Sequence, residues 1–134
     1  MSVDGAERLR KFADLAVRIG ANVGEGQYVY VNGLVEHAPL VRAIVDAAYD
    51  AGAKHVDVFY GDMHVRRSRV EKAPEELLDY VSPFLVKALE DLGAEQGAMI
   101  SITDVGIIIS NGKGADITMV GPSVTINQGA LAVI

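Results

Sequence analysis

Two runs of alternating β-branched and aromatic residues, 27–32 (Gln-Tyr-Val-Tyr-Val-Asn) and 55–60 (His-Val-Asp-Val-Phe-Tyr), flank a segment of helical periodicity from Pro39 to Ala51. The pattern predicts strand, helix and strand, a βαβ unit of about 30 residues. In the helix, Leu40, Val41, Ile44, Val45 and Ala48 share a face turned to the sheet, and Arg42, Asp46 and Asp50 point to water. Proline opens this helix and Gly52 closes it. Crossovers of this kind are right-handed, so the strands run parallel. The loops after their carboxyl ends then lie side by side, where open α/β sheets hold ligands. Residues 32–37 and 61–69 are the first places to look for chemistry.

Around this unit the periodicity predicts further elements. A first helix runs from an N-cap at Asp4 to Ile19, burying Leu9, Phe12, Ala13, Ala16 and Ile19. Gly20, Gly24 and Gly26 break the chain before the first strand. Residues 63–70 form a short helix with a basic face, and Pro74 begins an acidic turn with Glu75 and Glu76. Ser82-Pro83 starts a helix that buries Leu85, Val86, Leu89 and Leu92 and stops at Gly93. Residues 98–103 are a third strand. Beyond Asp104 the helical period disappears, and only Lys113 and Asp116 are charged. Strands at 105–110 and 115–120 flank Asn111-Gly112, which favours a type I′ hairpin turn. Gly121-Pro122 makes another turn before short strands at 123–126 and 130–134. The expected fold is α/β: a parallel core of βαβ units, in two or three layers, with a C-terminal antiparallel β-hairpin addition. Residues 1–134 are expected to form a single domain.

Composition narrows the function classes. Half the residues are hydrophobic, enough to build a core. A net charge of −6 provides no basic excess to neutralise phosphates, so nucleic acid is not an expected partner. The absence of cysteine removes disulfides and thiolate metal sites and fits a cytoplasmic protein. The first ten residues carry charges and no apolar core, unlike a signal peptide. No apolar run approaches the ~20 residues of a membrane span, so no membrane partner is expected. So apolar a tail must be buried within the domain or against a partner, and homo-oligomerisation through it is the expectation.

Candidate chemistry lies in the two loops. Glu36-His37 pairs a carboxylate with an imidazole, which could bind metal, move protons or cap the helix that starts at Pro39. Asp62 and His64 carry the same double reading, whereas His55 falls inside a strand as a packed or edge side chain. The run from His64 to Arg69 is the densest charge in the chain; Arg67 and its neighbours could hold a carboxylate or phosphate bidentately, or face solvent paired with Glu71, Glu75 and Glu76. The ligand-binding candidates are thus Glu36, His37, Asp62, His64 and Arg67. Gly24-Glu-Gly26 precedes a strand and lacks dinucleotide-binding spacing. No zinc-protease helix motif, serine elbow or cysteine nucleophile is present.

Four segments, in order, carry a resemblance: LAVRIGANVGEGQYVYV, VEHAPLVRAIVDAAYDAGAKHVDVFYGD, RRSRVEKAPEELLD and GAMISIT. Residues 9–103 resemble the N-terminal domain of the thermophilic-type metallo-aminopeptidases, the aminopeptidase T/S family. The resemblance implies a much longer protein that releases N-terminal amino acids from peptides. Its pair of divalent metal ions is held by Glu, His, Tyr and Asp side chains of a C-terminal catalytic domain that is not recognisable here. Residues 115–121 resemble that family's closing H-x-D-x-M-I-G-like run, but Ala115 and Ile117 stand where its His and Asp ligands would fall. No catalytic residue, metal ligand or cofactor is therefore expected in this chain. The expected role is a non-catalytic scaffold and interaction surface, from a truncated or rearranged relative. The alternatives are a small-ligand module for amino acids or peptides and a metal-dependent aminopeptidase.

Overall fold

The computed structural model describes residues 3–127 and 131–133. Its centre is a seven-stranded mixed sheet. β1 (Tyr28–Leu34) lies between β2 (His55–Gly61) and β3 (Ala98–Ile102), parallel to both. β4 (Gly106–Ser110), β5 (Asp116–Val120), β6 (Ser123–Ile126) and β7 (Leu131–Val133) then extend the sheet from β3 as an antiparallel meander. The α/β fold with a parallel core and an antiparallel addition is thus present. Ala130 and Ile134, the ends of the last predicted strand, lie outside the described residues.

Helix α2 (Ala38–Asp50) forms the first crossover and seals one face of the sheet. Val41, Ile44, Ala47 and Ala48 are buried on it, with Leu40 and Val45 packed at the edge, against Val29, Val31, Val56 and Ile100. The approach is close: a β-carbon at Gly33 would stand 2.8 Å from Val41 Cγ2. The helix stops at Gly52, whose φ of +99° favours glycine.

The first helix departs from the expected face. α1 spans Val3–Asp14, so Asp4 is inside its first turn, where it pairs with Arg8 at 3.0 Å, and not at a cap. Residues Leu15–Gly20 then widen into a π-helical turn, closed by a hydrogen bond from Ala21 N to Ala16 O at 2.7 Å. The wider turn breaks the 3.6-residue register. Ala13, Ala16 and Val17 are buried, while Phe12 and Ile19 are exposed.

The second crossover, β2 to β3, passes the opposite face. It comprises α3 (Met63–Lys72), a short turn at Glu75–Leu77 and α4 (Pro83–Ala94). Arg69 organises the link by donating to the carbonyls of Leu78 (2.9 Å) and Tyr80 (2.7 Å). The expectation that α4 buries Leu85, Val86, Leu89 and Leu92 is corrected: Leu92 alone of these is buried. An apolar stripe needs a second surface to cover it, and the described residues provide one only at Leu92.

The hairpin between β4 and β5 is also longer than a type I′ turn. Asn111 Oδ1 accepts hydrogen bonds from Lys113 N (2.8 Å) and Ala115 N (3.0 Å), and that side-chain bonding opens the loop to Ala115. No helix among the described residues is long and apolar enough to cross a membrane.

Candidate functional site

The carboxyl ends of the three parallel strands converge on a cavity of about 280 Å³. The register brings Leu34 level with Gly61, and Gly33 level with Ile102, so the residues that follow each strand meet. β1 contributes Asn32, the β2 end contributes Asp62, α3 contributes Arg66, and the β3 end contributes Thr103 and Asp104. Asn32 donates to Ser101 Oγ at 3.2 Å, fixing its amide across the β1–β3 pair. Asp62 caps α3: its Oδ1 accepts from His64 N at 2.8 Å. Thr103 Oγ1 donates to the Gly106 carbonyl at 3.2 Å and so holds the turn that carries Asp104. Two carboxylates and one guanidinium therefore border one small cavity. Among the described residues Arg66 makes no ion pair.

Of the residues singled out in the sequence, only Asp62 lines this cavity. Glu36 lies exposed on a short turn (Val35–His37), and neither it nor His37 caps α2 through its side chain. His37 is half-buried, with Nδ1 lacking a hydrogen-bond partner among the described residues. His64 is exposed, and Arg67 faces solvent in an ion pair with Glu71 at 2.6 Å. Thr103 and Asp104 were missed, and Arg66 lines the cavity in place of its neighbour Arg67. Their signals were positional: residue 66 is one helical turn from the Asp62 cap and shares its face, and Asp104 follows β3 much as Asp62 follows β2.

A second cavity, of about 670 Å³, separates the other face of β1 and β2 from α4. The rings of Tyr30, Phe59 and Phe84 follow one another at centroid distances of 5.8 and 5.9 Å. Beside them Tyr28 OH donates to Asp57 Oδ2 at 2.6 Å, and His55 Nε2 lies 3.2 Å from Asp57 Oδ1. Burial, and then the hydrogen bond to Asp57, push the Tyr28 phenol up to about 12. The Tyr28 hydrogen bond holds the Asp57 carboxyl below the usual range. Among the described residues no group of three or more His, Cys, Asp or Glu side chains could hold a metal ion.

Comparison with known proteins adds the following. Residues 5–121 match the family described as thermophilic metalloprotease (M29). Aminopeptidase 2 of Geobacillus stearothermophilus is 38% identical over 96 residues, covering 72% of this chain and 23% of that protein. Aminopeptidase T of Thermus thermophilus is 35% identical over 95 residues, 71% of this chain and 23% of that protein. The solved structure of wild-type AmpT from Thermus thermophilus superimposes with a TM-score of 0.65 at 35% identity, covering 71% of this chain and 24% of that one. The chain thus spans about a quarter of the length of these relatives.

Proposed function

The chain belongs to the thermophilic metalloprotease (M29) family, and from that premise we propose that it acts as a non-catalytic N-terminal α/β scaffold and interaction surface of a metallo-aminopeptidase. The observation that carries this reading is the uncovered apolar surface of the second crossover. Val65, Val70, Leu77, Tyr80, Val86 and Leu89 are all exposed there. Large exposed apolar patches mark interaction sites. The metal pair of the family does not fit the residues present. A two-metal hydrolase needs several ligands converging on ions about 4 Å apart, and the described residues offer no group of three. Ala115 and Ile117 cannot coordinate. The test is hydrolysis of a leucyl chromogenic amide with added cobalt or zinc against a chelator control. No chelator-sensitive turnover is expected, and turnover would instead favour a metal-dependent aminopeptidase.

A second reading, a small-ligand module, is favoured by the strand-end cavity. Carboxylates at Asp62 and Asp104 suit an ammonium group, Arg66 suits a carboxylate, and the volume suits a free amino acid. Saturating leucine would then raise the melting temperature, since a ligand at 100 times its Kd stabilises by about 2.7 kcal/mol. Arg66→Ala should abolish the shift, and its absence in the unaltered chain would exclude the reading.

A further inference from the structure

We propose that the cavity between the β1–β2 face and α4 binds an organic cation carrying an aromatic or apolar body, with Asp57 as counter-ion and Tyr30, Phe59 and Phe84 as the wall. Such binding needs neither a metal nor a partner domain and is independent of the scaffold role. The cavity volume of about 670 Å³ falls in the range of small-molecule sites.

Charge decides the class of ligand. Both lysines at the rim are already committed, Lys54 to Glu95 and Lys87 to Asp91. Among the described residues Asp57 has no lysine or arginine partner. Its contacts are the neutral Tyr28 phenol at 2.6 Å and the His55 ring at 3.2 Å, which is a charged partner only when protonated. The phenol, and the imidazole when unprotonated, orient the carboxylate without cancelling its charge. With the His55 ring unprotonated, Asp57 therefore presents a negative charge with no lysine or arginine partner among the described residues, beside a contiguous aromatic surface. The faces of those rings are themselves electronegative and attract a cation within about 6 Å. An anion would meet Asp57 with no free lysine to offset it. A neutral aromatic would cover the rings but desolvate the carboxylate without replacing its water. An ammonium on an aromatic stem satisfies both halves of the cavity.

The experiment is an NMR titration of the 134-residue chain in mildly alkaline buffer, with phenethylammonium, phenethyl alcohol and hydrocinnamate as cationic, neutral and anionic probes. Saturable shifts of the Tyr30, Phe59 and Phe84 ring signals are expected with the cation. The alcohol should bind about tenfold more weakly, a difference of about 1.4 kcal/mol, and the anion more weakly still. Asp57→Asn, which keeps an acceptor for the Tyr28 hydroxyl, should remove the preference for the cation and leave the alcohol unchanged. Phe84→Ala, on an exposed side chain, should weaken both. Equal binding of the three probes, no saturable shift with the cation, or an unchanged preference in a folded Asp57→Asn chain would overturn the proposal. Were that variant unfolded, the cation-to-alcohol ratio in the unaltered chain would decide it.

Discussion

Replacing Tyr28 by phenylalanine removes one hydroxyl and tests the polar half of the aromatic cavity. The 2.6 Å bond from Tyr28 OH to Asp57 is charge-assisted, a class that contributes about 1.5–3 kcal/mol when sheltered. A phenol raised from 10.0 to about 12 corresponds to about 2.7 kcal/mol. Burial is the largest cause of that rise, however, and the Asp57 side chain is 49% exposed. Solvent screening at such a position reduces the contribution to about 1 kcal/mol. Urea denaturation of Tyr28→Phe, Asp57→Ala and the double variant closes a cycle whose coupling measures the pair. The pH dependence follows from the directions. Asp57 is lowered from 3.8, so its contribution is present above that value and lost as pH falls through its folded value. Tyr28 is raised, so its contribution is complete below 10.0 and lost as pH rises through about 12. The cycle should give about 1 kcal/mol between those limits and less outside them. A coupling under about 0.3 kcal/mol at neutral pH would refute the reasoning.

Three further outcomes are expected. A β-carbon at Gly106 would overlap the Met119 carbonyl, so Gly106→Ala should speed amide exchange through β4 and β5 while β1 stays protected; uniform protection would show that the strands shift without opening. Phe12, Leu15 and Ile19 face Ile109, Ile117 and Met119 of the tail strands across an apolar cleft of about 290 Å³, which supports the expected self-association. Light scattering should therefore report a dimer or larger species that Ile19→Asp, at a residue 73% exposed, reduces to monomer; an unaltered chain that is already monomeric would end that reading. Leu89→Ser on α4 should change stability by no more than about 0.5 kcal/mol, as exposed positions do, and a loss of several times that would show the stripe already packed.

The parts of the fold that were legible in the sequence are those where a single period holds. Val29 and Val31 alternate with Tyr28 and Tyr30, and Val41, Ile44 and Ala48 repeat at helical spacing, so β1 and α2 could be drawn in advance. The reading failed where geometry changed inside an element. A π-helical turn buries Val17 and turns Ile19 out, and nothing in a 3.6-residue pattern signals it. The site was legible in place but not in membership. Strand ends were the right location, yet choosing Arg66 over Arg67 required the helix start to be known, and Asp104 required the pairing of β1 with β3. His55, Asp57 and Phe59 alternate on β2 and so share a face, but their meeting with Tyr28 and Tyr30 depends on a register that no local pattern contains.

Helix α4 shows why its apolar residues and the aromatic cavity call for separate explanations. Phe84, Lys87, Ala88, Asp91 and Glu95 line the cavity, at the three- and four-residue spacing of a single helical face. Leu85, Val86 and Leu89 fall outside that set and remain exposed. Closing the cavity by moving α4 toward the sheet would thus bury Phe84 against Phe59 and Tyr30 but leave the leucine–valine stripe in water. A ligand in the cavity would leave it there too. Only a surface approaching from outside the sheet covers Leu85, Val86 and Leu89, and that is the physical case for an interaction role. The two ideas therefore part in experiment. A small cation should shift Phe84 and leave Leu89 unmoved, whereas a docking partner should protect the Leu89 methyls from solvent even with Asp57 replaced by asparagine.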